Sequence, residues 1–525
     1  MNSVKVLDCT LRDGGYCNQW RFENKNIYKI IAGLTEAGID IIECGFLTKE
    51  GQYDSDTTKF HTMEEISPFI HGKGHESLFV AMINYGEYTS EDLPEKGEDT
   101  VDGIRIAFHK KDLLGAIMLC REIKKKGYLV FVQPMVSLSY PDEEFLHLIK
   151  LINEFQPYAF YIVDSFGMMK EKDLIRLFYM VEHNLDSEIH IGFHSHNNMQ
   201  LAYSNAQKLV SMHKDRNMII DASVYGMGRG AGNLNTELFV EFLNDGIGSA
   251  YKLKPLLSII DEILNEFYQQ NYWGYSLPNY LSAKHNAHPN YAKYLDDQKT
   301  LTVEDMECIF EMMDAVKGFE FDRDYIEDLY MRYMDRDRLQ MERQEELEKI
   351  LSGKSVLLIA PGKSAADEQK LICEYVLRED IVSISINFEY LYAETDYIFL
   401  SNLRRFKELE KSKYEKCIVT SNIPAIHAYF QANYRELLND EEPVRDKAGL
   451  MAIRFLMDYN IKEILLAGFD GYSHDMEENY GDKKMAFFTR NAVLDAMNVG
   501  MVNVISEYAK KINITFLTAP KYIRL

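Results

Sequence analysis

The sequence predicts an α/β protein: an N-terminal (β/α)8 TIM barrel with a helical extension, then a C-terminal Rossmann-like, doubly wound α/β domain. Three observations predict it. Eight short, nearly continuous apolar runs recur through roughly the first 225 residues, as expected of strands buried on both faces. Helix-length segments separate most of them, and strict strand–helix alternation implies a parallel sheet. A second series of apolar runs begins near Lys354, and 525 residues are too many for one ordinary domain.

The first series places strands at residues 4–8, 39–46, 78–83, 103–108, 128–134, 159–164, 189–194 and 219–224. Helices are expected at 26–37, 111–126, 142–155, 170–184 and 199–213. Eight such units point to a closed barrel rather than an open sheet. Residues 233–333 read as helical, interrupted by the polar loop KHNAHPNY at 284–291. The dense charge run at 335–350 reads as a solvated linking helix. In the second series, strands are expected at 355–360, 382–387, 397–400, 417–420, 464–467 and 514–517. The expected domains are therefore 1–290 (barrel), 291–350 (helical extension and linker) and 351–525 (Rossmann-like domain, binding a nucleotide or sugar).

Composition narrows the function. Apolar and charged fractions of 46% and 27% are those of a water-soluble globular chain. The 58 basic and 82 acidic residues leave a net charge of −24, which disfavours nucleic acid and anionic membranes as partners. Seven scattered cysteines without a CxxC suit a reducing compartment. The start does not read as a signal peptide and no apolar run spans a bilayer, so a cytoplasmic location is expected.

Barrel chemistry sits at the C-terminal strand ends, and polar residues collect there. The first strand runs into Thr10-Leu11-Arg12-Asp13, the second ends at Glu43, the fourth carries Arg105, and the sixth ends in Asp164-Ser165. The seventh ends in His194-Ser195-His196. Residues i and i+2 of an extended chain point the same way, so the two imidazoles project together. With a carboxylate from another strand they would make a facial metal set open to substrate.

The stretches LDCTLRDGG, GFHSHNNMQLAYSNA and DASVYGMGRGAGN resemble the DRE-TIM metallolyases, in the same order and spacing. That superfamily includes 4-hydroxy-2-oxovalerate aldolase, 3-hydroxy-3-methylglutaryl-CoA lyase, and the isopropylmalate and homocitrate synthases. The resemblance covers about the first 290 residues. It implies that Asp13, His194 and His196, with Asn233 in some members, hold a divalent metal; one carboxylate, water and a chelating keto acid offer mainly oxygen ligands, so Mn²⁺ or Mg²⁺ is expected. It implies that Arg12 polarises the keto oxygen and stabilises an enolate, and that Glu43, Arg105, Asp164 and Ser165 support the site or contact substrate. IRIAFH, YIVDSFGMM and GMGRGAGN are most similar to the hydroxyoxovalerate aldolases. The strand-8 loop is short and lacks the cysteine of the acyl-CoA lyases.

One departure matters. Those aldolases place a catalytic histidine shortly after the metal Asp, and here Gly14–Trp20 holds none. Tyr16 is a candidate proton carrier, though its reference pKa of about 10 makes it a poor base. His285, His288 and Tyr291 in the polar loop are the others. A substrate other than 4-hydroxy-2-oxovalerate is expected.

In the second domain, APGKSA fails the P-loop pattern, since Leu357 stands where the first glycine belongs. LLIAPGKS, SISINF, DYIFLSN, VTSN and LAGFDGY loosely resemble Rossmann-like sugar transferases and a pterin diphosphokinase family.

The expected activity is a metal-dependent aldolase or lyase that makes or breaks a carbon–carbon bond through a pyruvate-type enolate. Its partners are a small keto acid and an aldehyde, and a homo-oligomer is admitted. A setting in carbohydrate or surface-polysaccharide biosynthesis is expected from the fused domain. A Claisen-type acyl-CoA synthase, and a barrel kept only for binding or regulation, are the competing readings.

Overall fold

The computed structural model describes residues 4–71, 77–212, 216–298, 301–314, 317–334, 343–423, 427–485 and 489–524. The chain forms two compact units: 1–293 with 314–321, and 294–313 with 322–525.

The first unit is a closed parallel barrel. Its strands are β1 (Val4–Asp8), β2 (Ile41–Leu47), β3 (Leu78–Asn84), β4 (Gly103–Phe108), β5 (Leu129–Pro134), β6 (Ala159–Asp164), β7 (His190–Ser195) and β8 (Met218–Ala222). Each pairs with its sequence neighbours, and β1 closes the ring by pairing with both β8 and β2. A two-residue strand, Lys59–Phe60, flanks β2. The expected strands are all present, displaced by at most two residues at an end. The expected helices are found at Asn24–Ala37, Leu113–Lys125, Asp142–Phe155, Glu171–Asn184 and Ala202–Met212. Each buries a stripe of Ile, Leu, Val and Phe against the strands.

The inward faces of the strands make the site possible. Period-two alternation sends Leu7, Ile41, Val80, Phe131, Ala159, Tyr161 and Ile219 into an apolar plug. Gly192 of β7 has no side chain there because a Cβ would meet the Tyr161 ring at 2.3 Å. Two residues further along the same strands, the inward positions become Glu43, Arg105, Gln133, His194 and Asp221, all buried. An apolar layer thus carries an ionic layer, which lies below the C-terminal mouth.

After β8 the first unit continues as helices, including Thr236–Ile247 and Leu277–Lys284, and the helix Pro289–Asp297 crosses the boundary between the units at residue 293. The polar loop is shorter than expected, because helix resumes at Pro289. The first eight residues of the 335–350 charge run lie outside the described residues. The remainder forms the helix Gln344–Leu351, exposed except on its Leu347 and Leu351 side.

The second unit holds a seven-stranded parallel sheet: β9 (Ser355–Ile359), β10 (Ile381–Ile386), β11 (Tyr397–Leu400), β12 (Cys417–Thr420), β13 (Phe430–Ala432), β14 (Glu463–Ala467) and β15 (Ile514–Phe516). The spatial order is β13-β12-β11-β10-β9-β14-β15, so the winding reverses between β9 and β14. The second parallel sheet is as expected; β13 is an addition. Among the described residues, no helix is long and apolar enough to cross a membrane.

Candidate metal centre

Beyond β1, the chain turns at once into a one-turn helix, Thr10–Asp13. Asp8 starts it by accepting the Thr10 N–H at 3.0 Å, and the Thr236 hydroxyl binds its other oxygen at 2.7 Å. Burial raises the Asp8 pKa to about 6 against these hydrogen bonds. Trp20 Nε1 donates to the Arg12 carbonyl at 2.8 Å, and Thr58 Oγ1 to that of Leu11 at 2.6 Å. These tertiary bonds bring Arg12 and Asp13 over the barrel mouth.

Asp13, His194 and His196 converge there, each buried, with ligand atoms within 4.8 Å of one another. The two imidazole planes are nearly perpendicular, with centroids 5.2 Å apart. Asp13 Oδ1 accepts from Arg12 Nη1 at 2.5 Å, and Oδ2 from Asn233 Nδ2 at 2.6 Å. His194 Nδ1 lies 2.9 Å from Asp221 Oδ2, so Nδ1 carries the proton and Nε2 is left for a metal. His196 Nδ1 stands 3.8 Å from Asp13 Oδ2, too far for a hydrogen bond. Gly228 backs this cluster, where a Cβ would meet Asn233 Nδ2 at 2.3 Å and Asp13 Oδ2 at 2.7 Å.

The ionic layer beneath is one connected chain. Arg12 Nε donates to Glu43 Oε2 at 2.8 Å, Arg105 Nη1 lies 2.8 Å from the same oxygen, and Arg105 Nη2 binds Asp221. Asp13, Glu43 and Asp221 set three carboxylates against two guanidinium groups. Among the groups in direct ion pairs one negative charge is in excess, which a buried cluster does not sustain cheaply; Arg229 acts on Asp13 only from beyond ion-pair distance. Burial works against the charge on Asp13, but Arg12 and the two imidazoles hold its pKa well below the carboxylate range. Burial also depresses His196 to about 3, leaving it neutral and able to ligate. His196 Nδ1 and Asn233 Oδ1 are buried without a hydrogen-bond partner. Two orphaned acceptors, a surplus carboxylate charge and mixed N/O donors fit a divalent cation.

Above the cluster lies a small pocket that opens to solvent. It is lined by Arg12, Asp13, Tyr16, Gln133, Ser165, His194, His196 and Arg229, with an apolar wall that includes Phe46, Met82 and Val163. Of the residues singled out from sequence, Arg12, Asp13, Tyr16, Ser165, His194 and His196 line this space, and Asn233 touches it through Asp13. Tyr16 is 41% exposed, and its phenol, with an ordinary pKa of about 10, keeps its proton at neutral pH.

The structure places the others elsewhere. Glu43 and Arg105 lie wholly beneath the floor. Asp164 turns into its own loop, accepting from Met168 and Met169 N–H groups at 2.9 and 3.0 Å, and burial raises its pKa to about 7. His288 sits behind Arg229, its Nε2 3.4 Å from Arg229 Nη1, while its Nδ1 accepts the Asn290 N–H at 3.1 Å. Tyr291 is fully buried, with its hydroxyl shared between the carbonyls of Glu320 at 2.7 Å and Lys317 at 3.0 Å. Asp221 and Arg229 are the participants that sequence reasoning missed. Asp221 is an acid in the inward register of an otherwise apolar strand, and that placement was its available signal.

Comparison with known proteins agrees with this fold. The family model described as HMGL-like matches residues 109–263. The 4-hydroxy-2-oxovalerate aldolase of Shewanella halifaxensis (strain HAW-EB4) is 30% identical over 249 residues, spanning 46% of this chain and 70% of the relative. That of Geobacillus genomosp. 3 is 27% identical over 269 residues, 50% of this chain and 77% of the relative. The crystal structure of the N-terminal domain of a putative aldolase from Bacteroides vulgatus superposes with a TM-score of 0.50 at 30% identity, covering 57% of this chain and 98% of that one. The two relatives and the solved structure take in about half of the chain, and the family model a shorter stretch within it. On these matches and its closed parallel barrel, the chain belongs, through its first unit, to the HMGL-like (DRE-TIM) family.

Proposed function

We propose that the first unit is a divalent-metal-dependent aldolase that forms or cleaves a carbon–carbon bond next to a keto group, through the enolate of pyruvate or a close homologue. The observation that carries this reading is the buried cluster of three carboxylates and two arginines, which is one positive charge short beside Asp13, His194 and His196. Asp13, His194 and His196, with Asn233 beside them, would hold Mn²⁺ or Mg²⁺. When bound, such an ion polarises a keto oxygen and offsets enolate charge.

The chain's own residues supply the rest. Arg12 has Nη2 buried and unpartnered while its other nitrogens are fixed by Asp13 and Glu43. It is a preorganised donor for the keto or enolate oxygen, needing no rearrangement as charge develops there. Tyr16, protonated at neutral pH, gives its phenolic proton to the enolate carbon after cleavage, and solvent at its exposed edge reprotonates the phenolate. The apolar wall excludes water from the enolate. Ser165 Oγ accepts the Val136 N–H at 2.9 Å, which fixes the rim where the aldehyde enters.

The 1H NMR methyl signal of pyruvate in D2O tests the enolate directly. With Mn²⁺ or Mg²⁺ the protein should exchange those protons for deuterium. His194→Ala and His196→Ala should lose both stoichiometric metal and exchange; full exchange in either variant would sink the assignment.

The second unit is proposed to bind a nucleotide- or sugar-like molecule where its winding reverses, outside the C-terminal ends of β9 and β14. Supporting it, Asp470 is 2% exposed there, with Oδ2 accepting the Ser364 N–H at 2.7 Å and Oδ1 unpartnered. Such a unit would suit an aldehyde drawn from carbohydrate or surface-polysaccharide biosynthesis.

A further inference from the structure

The loop after β8 presents Arg229 into the pocket, and nothing in the reaction so far uses it. This loop is held firmly. Asn198 Oδ1 accepts the Ala231 N–H at 2.7 Å, the Gly232 N–H binds the Arg229 carbonyl at 3.1 Å, and Asn197 N–H binds the Gly232 carbonyl at 2.8 Å. Arg229 is thus carried by a fixed backbone, the condition for selective binding.

Its guanidinium is underused. Nη2 donates to the Ser165 carbonyl at 3.2 Å, and the group lies 5.3 Å from the Tyr16 ring centre. Nε is buried with no partner. No carboxylate of the described residues lies within ion-pair distance. The remaining contact, Nη1 to His288 Nε2 at 3.4 Å, competes with the Asn290 N–H held by His288 Nδ1. Burial and Arg229 depress His288 to about 2, and a neutral imidazole accepts at one nitrogen only. Arg12, the other arginine of the pocket, is already matched by Asp13 and Glu43. The apolar lining of Phe46, Met82, Ala107, Met135 and Val163 offers an anion nothing, and Asn84 and Gln133 carry no charge. One uncommitted, forked cation at the rim of a small pocket is a receptor for an oxyanion.

We propose that Arg229 is the specificity-determining residue for the acceptor, selecting an aldehyde that bears a carboxylate or phosphate at the end remote from its carbonyl. The inference rests on the aldolase reading and names the substrate class that the same site takes. Arg12 and the metal ligands face the keto acid, and Arg229 faces its partner across the pocket.

The test compares kcat/KM for addition of pyruvate, with Mn²⁺, to two matched pairs: succinic semialdehyde against butanal, and glyceraldehyde 3-phosphate against glyceraldehyde. Wild type should prefer the anionic member of at least one pair by about 10- to 100-fold, the worth of hydrogen bonds to a charged group; the pair that responds tells carboxylate from phosphate. Arg229→Gln should bring that ratio close to one, and Arg229→Lys, which keeps the charge without the fork, should fall between. Equal use of both members of each pair by wild type overturns the inference, whatever the variants do. So does an Arg229→Gln protein in which KM for pyruvate rises while the ratio stays. Failure of both anionic aldehydes while pyruvate methyl exchange continues also overturns it, and leaves the enolate reading standing. Loss of the exchange itself would remove that reading instead.

Discussion

At the scale of single residues, Asp221 holds the centre together although it touches no reactant. It fixes His194 through Nδ1 and balances Arg105 from the other side. Burial opposes its charge, and Arg105 with His194 holds its pKa low, so it is ionised. Asp221→Asn keeps the shape and removes the charge. The cluster then has two carboxylates for two guanidinium groups, and the surplus that attracts a cation is gone. Metal affinity should fall about 10- to 100-fold, the usual worth of a carboxylate behind a ligating histidine; titration calorimetry with Mn²⁺ measures it. Unchanged affinity would mean that the surplus charge does not govern binding. The clustering of the three candidate ligands was legible because His194 and His196 are spaced for one face of a strand and Asp13 stands in a recognisable stretch. Asp221 was not, because its role exists only once β8 lies beside β7 and Arg105 reaches across the barrel.

At the scale of elements, the barrel strands were legible for a physical reason. Strands covered on both faces must be nearly all apolar, so each appears as a bounded run. Their ends shifted by a residue or two where hydrogen bonding outlasts hydrophobicity, as in β7, which continues through His194 to Ser195. The helix Thr10–Asp13 was invisible, being held by Asp8, Trp20 and Thr58 rather than by any propensity. β13 escaped because its three residues, Phe430-Gln431-Ala432, make no continuous apolar run, whereas the equally short β15 consists of strand formers, Ile514-Thr515-Phe516. His288 shows a helix start deciding a residue's chemistry: its Nδ1 accepts the Asn290 N–H at the head of Pro289–Asp297, as an N-cap does. Its folded pKa of about 2 lies below the unfolded value near 6.5. The unfolded chain therefore binds more protons between those values, so stability rises with pH through that window and levels off above it. Between pH 5 and 7 this one residue should contribute a slope worth about 2 kcal/mol. His288→Asn, which keeps a capping acceptor, should flatten the dependence of the melting temperature over that range. An equally steep profile in the variant would place the titration elsewhere.

At the scale of the whole molecule, the charge imbalance and the two-unit division give a way to ask where metal acts. The net charge of −24 draws cations generally, so weak surface binding must be told apart from occupancy of the Asp13–His194–His196 centre. Stability separates them. A ligand held by the folded state alone stabilises it by about 2.7 kcal/mol at a hundredfold excess over its Kd, and only the unit that contains the site gains. Multi-domain chains commonly unfold in more than one step. Calorimetry should therefore resolve a transition that rises by several degrees with Mn²⁺ or Mg²⁺ and returns on chelation, beside a second transition that does not move. Asp13→Asn should abolish the rise while leaving the second transition in place. A rise that survives in Asp13→Asn would assign the stabilisation to surface carboxylates, and a single transition moving as one would mean that the two units unfold together. The metal-sensitive transition belongs to the first unit because all three ligands, the ionic layer beneath them and the loop that carries Arg229 lie within residues 1–293.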